Sequence, residues 1–242
     1  MPDTRSHRGP DPRDPDAFGP HAWPALRGAV ADLSWLLGRG YAPVSALKVV
    51  GDRWALTGRQ RMGVLRSACG DEAAARRACR RVEPEEAVGG RLAVDGFNVL
   101  TTVEAALGGA VVIVGRDGCL RDVAGVHGSY RKVEETVPAV RLTGEVLAAI
   151  GATACTWYLD HPVSNSGRLA ASILETAAER GWPWRVEVVM NPDPVLAASA
   201  EVVASADSVI LDRCGRWLNL ARRVVETRVP GATLVDLSAD GA

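Results

Sequence analysis

From residue 91 onward the chain repeats one pattern: a short, mainly apolar run, then a stretch with helical spacing. Residues 92–95, 154–159, 186–190, 202–205, 209–211 and 234–237 are such runs, and 134–150, 167–180 and 216–227 are helix-patterned stretches among them. An apolar run without polar alternation is a strand buried on both faces, as happens when helices cover both sides of its sheet. The pattern therefore predicts an α/β fold, a mainly parallel sheet flanked by helices. One segment departs from it. Residues 111–114 are also apolar and β-branched, but Asp117-Gly118 follows closely and predicts a hairpin within 111–123.

Residues 21–83 read instead as a small all-α domain. Trp23, Leu26, Val30, Leu33 and Leu37 recur at steps of three and four, one helical stripe that Gly38 and Gly40 end. Pro43 suits the first turn of a second helix, with Val44, Leu47 and Val50 inward and Gly51 at its left-handed cap. Thr57 and Gln60 have capping-box spacing and open a third, whose buried side is Met62, Leu65 and Cys69. A fourth, 71–82, places an acid at its N-cap and Arg76, Arg77, Arg80 and Arg81 near its end, where cations suit the helix dipole. The turn between the second and third helices is longer than in a helix-turn-helix, so that likeness is loose. Residues 84–90, acidic and then Gly-rich, read as a linker to an α/β domain over 91–242.

The net charge of −1 conceals an asymmetry. Residues 21–90 hold eleven Arg or Lys against seven Asp or Glu, a balance of +4; the first twenty hold three bases and four acids, which leaves 91–242 at −4. A basic module ahead of an acidic one fits a polyanion grip beside a carboxylate-rich site, and the same arginines also fit a solvated helix surface.

Several classes drop out. The five cysteines, Cys69, Cys79, Cys119, Cys155 and Cys214, contain no C-x-x-C and predict neither a disulfide framework nor a zinc knuckle. The longest uncharged apolar run, 146–159, falls short of the roughly 18 residues of a bilayer span, so no membrane partner is expected. Five prolines among Asp and Arg in residues 1–20, without a signal-peptide core, predict a disordered leader on a cytoplasmic protein. Neither a Walker loop, a Rossmann glycine fingerprint nor a G-x-S-x-G elbow is present, which argues against nucleoside triphosphate use, dinucleotide binding and acyl transfer.

In an open parallel sheet, functional groups collect beyond the carboxyl ends of the strands. Asp95 ends the run 92–95, Asp160 follows 154–159, Asp207 comes just after 202–205, and Asp212 closes 209–211. Carboxylates drawn from separate strand ends repel one another, and a hard divalent cation relieves that. Oxygen-only donors favour Mg2+ or Mn2+ over zinc, which takes His or Cys. Such a centre suits phosphodiester hydrolysis. Each of these acids also fits a helix N-cap or a turn, so the expectation depends on whether they meet. Gly96 permits close backbone approach beside Asp95, and Asn98 offers an amide there.

Asp95-Gly96-Phe97-Asn98-Val99 resembles the first-strand signature of the PIN-like nuclease superfamily, particularly its NYN branch. Ser205-Ala206-Asp207-Ser208, with an apolar run and Asp212 after it, is similar to that superfamily's later serine-and-aspartate motif at a strand end. With the basic helical half, residues 126–132 and 160–167, nearly the whole chain after the leader resembles an uncharacterised prokaryotic family with a PIN-like C-terminal domain. The resemblance implies a PIN-like sheet and metal-dependent RNA cleavage, with Asp95, Asp160 and Asp207 as metal ligands and Asp212 assisting. The superfamily also places an acid on a helix early in the domain, for which Glu104, Glu134 and Glu145 all stand as candidates, with Glu135 an alternative beside Glu134.

The segment 115–132 is unlike a minimal PIN domain. Its Arg116, Arg121, His127, Arg131 and Lys132 read as a phosphate clamp, and Tyr130 as a stacking surface for a base. His127 beside Gly128 equally fits a turn. Ser164, Asn165 and Ser166 open a helix whose free N–H groups can hold an anion, and with Asn98 they complete the expected substrate contacts. The expectation is thus a cytoplasmic, Mg2+- or Mn2+-dependent ribonuclease with RNA as partner. The competing readings are a non-catalytic platform for nucleic acid or protein on the same scaffold, and a regulator that binds duplex DNA.

Overall fold

The computed structural model describes residues 7–123, 130 and 132–238. The elements in chain order are α1 (Asp14–Phe18), α2 (Trp23–Gly38), α3 (Pro43–Arg53), α4 (Gly58–Ser67), α5 (Asp71–Arg80), β1 (Arg91–Asp95), α6 (Gly96–Leu107), β2 (Val111–Val114), β3 (Leu120–Asp122) and α7 (Thr136–Ile150). They continue as β4 (Ala154–Asp160), α8 (Ser166–Arg180), β5 (Trp184–Val189), α9 (Pro192–Ala197), β6 (Val202–Ala204), α10 (Ser208–Leu211), β7 (Trp217–Leu218), α11 (Leu220–Arg228) and β8 (Thr233–Asp236). Five strands form a sheet in the order β5-β4-β1-β6-β7, every neighbouring pair parallel. The mixed α/β architecture with a mainly parallel sheet flanked by helices is the one the apolar runs predict.

The central strands of this sheet are buried on both faces while the edge strand β5 is only half-buried, and the pleat decides which side chain meets which layer. On β1, Leu92 and Val94 join a core with residues of α6, α7 and α11, while Ala93 joins a second core with Leu196 of α9 and Ile210 of α10. The covers are unequal. The α9–α10 face is covered by one helix of six residues and one of four.

The 111–123 segment is the expected hairpin. β2 and β3 are antiparallel, and Gly118 takes the left-handed conformation, φ +75°, between them. The hairpin does not extend the large sheet. It pairs through β2 with β8, in parallel, as a separate three-stranded sheet.

That small sheet closes the core of the helical half. Val111, Ile113, Val123 and Val235 pack with Leu26, Val30 and Leu33 of α2 and Val64 of α4. The N-terminal helices thus share an apolar core with strands from far along the chain. A second tie lies at β7, where the Val82 N–H donates to the Trp217 carbonyl and the Trp217 indole donates to the Arg77 carbonyl, both at 2.8 Å.

Several local expectations change; on α3, Val44 is 84% exposed and Gly51 lies inside the helix, with Trp54 at its C-cap. Residues 209–211 are helix α10, because the Asp207 carboxylate accepts from the N–H groups of Val209 and Ile210 and starts a turn there. The helix after β1 begins at Gly96, directly on the strand. Trp217 and Leu218 are a strand, so the last long helix starts at Leu220. The N-cap of α5 is Gly70, with Asp71 inside its first turn. The Thr57–Gln60 capping box forms as expected.

The leader is also corrected. From His7 onward it is ordered against the rest of the chain, with Arg8 donating to Glu104 at 2.6 Å and α1 packed on α4. Among the described residues, no helix is long and apolar enough to cross a membrane.

Candidate functional site

The order β5-β4-β1-β6-β7 contains a switch point. From β1 the chain moves outward through β4 to β5, then returns to β6 on the other side of β1. Connections leaving β1 and β6 therefore diverge, which opens a crevice beyond their carboxyl ends, where open α/β sheets bind ligands. Asp95 is the last residue of β1. It shares the face of Ala93, toward α9 and α10, and the register sets it opposite Tyr158 of β4. Asp160 lies two residues further along β4, so it projects to the same face. Ser205 follows β6 at the matching level, and its hydroxyl donates to Asp95 Oδ2 at 2.7 Å.

Gly96 makes this junction possible. A Cβ there would lie 2.5 Å from the Leu159 side chain and 3.1 Å from the Tyr158 carbonyl, so only glycine lets β1 turn straight into α6 beside β4. Asn98, one turn into that helix, accepts the Ala206 N–H on its side-chain oxygen at 2.7 Å. It is therefore a positioning residue that fixes the loop after β6. Ser205 continues the chain of bonds by accepting the Asp207 N–H at 2.9 Å.

Asp95 is 6% exposed. Burial pushes its carboxyl up to about 7; the Ser205 hydrogen bond opposes the shift, and the charges of Asp207 and Asp160 add to it. Asp160 is raised by burial and by Asp193 and Asp207. Asp193 is raised by burial and by Asp207, with the exposed Arg213 pulling the other way. Carboxylates from β1, β4, α9 and the β6–α10 loop thus form one linked group, in which Asp207 acts on Asp95, Asp160 and Asp193, and Asp160 is also coupled to Asp95 and Asp193. Asp193 escapes the sequence reading, although Asn191-Pro192-Asp193 occupies behind β5 the same place that the other acids occupy behind their strands.

The other expected site residues are placed elsewhere. Asp212 belongs to an ion-pair cluster: Arg77 donates to it through Nε at 2.8 Å and Nη2 at 2.9 Å, and to Asp117 through Nη1 at 2.6 Å. Arg121 is buried. It donates to Asp117 at 2.6 Å and to the carbonyls of Ala206 and Arg66, so its guanidinium is engaged within the fold and does not clamp phosphate at a rim. Arg116 ties the hairpin to the α4–α5 junction through the Cys69 carbonyl and Asp71, both at 2.8 Å. Lys132 donates to the Ser172 hydroxyl at 2.9 Å. His127 and Arg131 lie outside the described residues.

At the start of α8, Ser164 and Asn165 are exposed and Ser166 is buried. Asn165 takes a left-handed conformation and donates to the Tyr130 carbonyl at 2.8 Å without capping the helix through its side chain. Among the helix acids, Glu104 is fully buried. It accepts from Arg8, from the Thr136 hydroxyl at 2.7 Å and from Tyr130, so the Tyr130 ring is packed inside and is no stacking surface. Glu134 and Glu135 face His7, and Glu145 lies 3.9 Å from both Arg180 and Arg228.

Residues 84–223 match the family described as Domain of unknown function (DUF5616). The chain belongs to that family. The DUF5616 match spans β1 through the first turn of α11 and so holds the entire crevice, while residues 25–80 match a second family, Protein of unknown function (DUF434). An uncharacterized protein of Methanocaldococcus jannaschii is 32% identical to this DUF5616 chain over 187 residues, covering 77% of the chain and 89% of the relative. No solved structure matches the chain.

Among the described residues, no three Asp, Glu, His or Cys side chains form a ready metal-ligand group. A magnesium ion that keeps most of its waters needs only one or two carboxylates of direct contact. The donor set fits that mode: oxygen atoms alone, mutually repelling, with Arg213 partly offsetting the charge at Asp193.

Proposed function

We propose that this chain is a phosphodiesterase acting on RNA, built on a PIN-like domain and dependent on Mg2+ or Mn2+. The observation that carries the reading is the accumulation of Asp95, Asp160, Asp193 and Asp207 at the switch point, where burial and mutual repulsion raise three of the four. Uncompensated negative charge of this kind lowers stability, and a site that tolerates it is a candidate for function. Asp95, Asp160 and Asp207 are the residues to hold the cation, with Asp193 a further oxygen donor beside them. When bound, such an ion polarises a phosphoryl oxygen and makes water a better nucleophile near neutral pH.

The chain's own groups supply the rest. Asp95, whose carboxyl burial pushes up to about 7 without a cation, is the acid whose ionised form a bound cation would stabilise most. Ser205 orients that carboxyl, and Asn98 holds the loop that carries Asp207. No nucleophilic side chain is required.

The test is incubation of the purified protein with a mixed-sequence RNA pool in Mg2+ or Mn2+. Cleavage that Asp95→Asn lowers by a hundredfold or more, with the fold intact by circular dichroism, is the expected result. An intact pool with both metals rejects the enzyme. The competing reading, a binding platform without turnover, draws on Asp207, whose carboxylate caps its own helix, and on the missing three-acid group. Under it the protein retains RNA and leaves it uncut.

A further inference from the structure

A cleft of about 700 Å3 lies between the helical half and the loop after β6. Leu37, Pro43, Met62 and Leu65 give it apolar walls, and Asp207 and Ser208 line its α/β side. Asp207 also belongs to the group of acids at the switch point, so the cleft and the crevice share that residue. The volume falls within the roughly 300–1,000 Å3 of small-molecule clefts.

Four arginines reach this cleft and divide into two kinds. Arg77 and Arg121 are locked onto Asp117 and Asp212. Arg66 has no side-chain partner among the described residues, and Arg76 has only Glu72 at 3.8 Å, with both side chains half exposed or more. A pair of that kind is worth little, so both guanidiniums are available to an anion. Tyr41, 56% exposed, falls in the chain between the cleft residues Gly40 and Pro43.

We propose that this cleft binds unpaired nucleotides of a single strand, bases against the apolar walls and phosphates on Arg66 and Arg76, and leads the strand to Asp207. Apolar walls flanked by free guanidiniums are what a splayed strand requires, since each base has a face to bury and each phosphate a charge to neutralise. The location rests on the RNA-hydrolase reading above, which makes the strand RNA.

The test measures binding of a fluorescent mixed-sequence single-stranded RNA in EDTA, where no cleavage occurs. Wild type is compared with the double variant Arg66→Ala/Arg76→Ala and with Ala73→Trp, which fills the cleft without changing charge. Both variants are expected to melt as wild type does and to bind about tenfold or more weakly. The double variant's slope of log affinity on log salt should shrink by about 1.4, at about 0.7 for each phosphate contact on a single strand. Wild-type affinity in either variant overturns the proposal, as does failure of wild type to bind or a preference for a matched duplex. If the variants lose binding but wild type never cleaves in Mg2+ or Mn2+, the cleft stands and the hydrolase falls. If wild type cleaves and both variants cleave with unchanged KM, the hydrolase stands and the cleft falls.

Discussion

Two groups of aspartates stand on either side of the loop after β6, and they have opposite electrostatics. Asp117 and Asp212 meet two buried arginines. Burial alone would raise Asp117, but Arg121 and Arg77 outweigh it and hold the carboxyl well below the ordinary range, while burial's pull on the arginines is likewise overcome by the acids. Asp95, Asp160, Asp193 and Asp207 meet mainly one another, and Asp95 rises to about 7. The first group is neutralised internally and joins three parts of the fold: α5, the β2–β3 hairpin and the α10 end. The second is left uncompensated next door. Identical side chains in one neighbourhood are thus stabilising or strained according to whether the fold supplies a guanidinium, and the unsupplied group is where an external cation has most to gain.

The comparison breaks most readily at Asp117, whose side chain is 1% exposed. Asp117→Ala strips Arg121 of its acid and leaves Arg77 only Asp212, and breaking a buried pair costs about 3–5 kcal/mol. Thermal unfolding should fall by about 10 °C, at roughly 2–4 °C per kcal/mol for a chain of this size. A fall of a degree or less would mean that the arginines do not depend on it.

Asp95 should behave in the opposite sense. Its folded pKa is raised, so between about 4 and 7 the folded chain binds more protons than the unfolded one, and stability falls as pH rises through that window. The limit is on the order of 4 kcal/mol, at 1.36 kcal/mol per pH unit. In metal-free buffer Asp95→Asn should flatten that slope and gain on the order of 2 kcal/mol at pH 8, while gaining nothing near pH 4. Parallel melting curves for the two proteins across pH 4–8 would contradict the strain.

Asn98→Ala removes the acceptor of the Ala206 N–H and should cost about 1–2 kcal/mol. In the RNA assay it should lower kcat more than KM, since Asn98 orients the loop carrying Asp207; an unchanged kcat would reduce it to a structural role. Smallest is Arg213→Ala. That side chain is exposed, so melting should move by less than about 0.5 kcal/mol, whereas Mn2+ affinity should rise about two- to threefold as the cation facing Asp193 is lost. Weaker Mn2+ binding would reverse the assigned sign.

The large sheet was legible because β1, β4 and β6 are apolar runs and the edge strand β5 keeps a mostly apolar sequence, and the Asp117-Gly118 turn announced its hairpin. The 209–211 run misled because three apolar residues look alike in a strand and in a single helical turn; the Asp207 carboxylate that decides between them acts through two N–H groups. Asp212 misled for a different reason. Its partner Arg77 lies 135 positions away in the chain, and nothing local to Asp212 records the pairing. In the same way the β2–β8 pairing, which seats the helical half, is invisible to any short window. Of the crevice, Asp95, Asp160 and Asp207 could be read from strand ends, and Asp193 could have been by the same rule applied after β5.

Calorimetric titration of the metal-free protein with Mn2+ at pH 8 tests most directly whether the uncompensated acids hold a cation. Saturable one-to-one binding in wild type and in the distant surface variant Asp71→Asn, lost in Asp95→Asn, is the predicted result. Absence of binding in wild type, or equal binding in all three proteins, would contradict it.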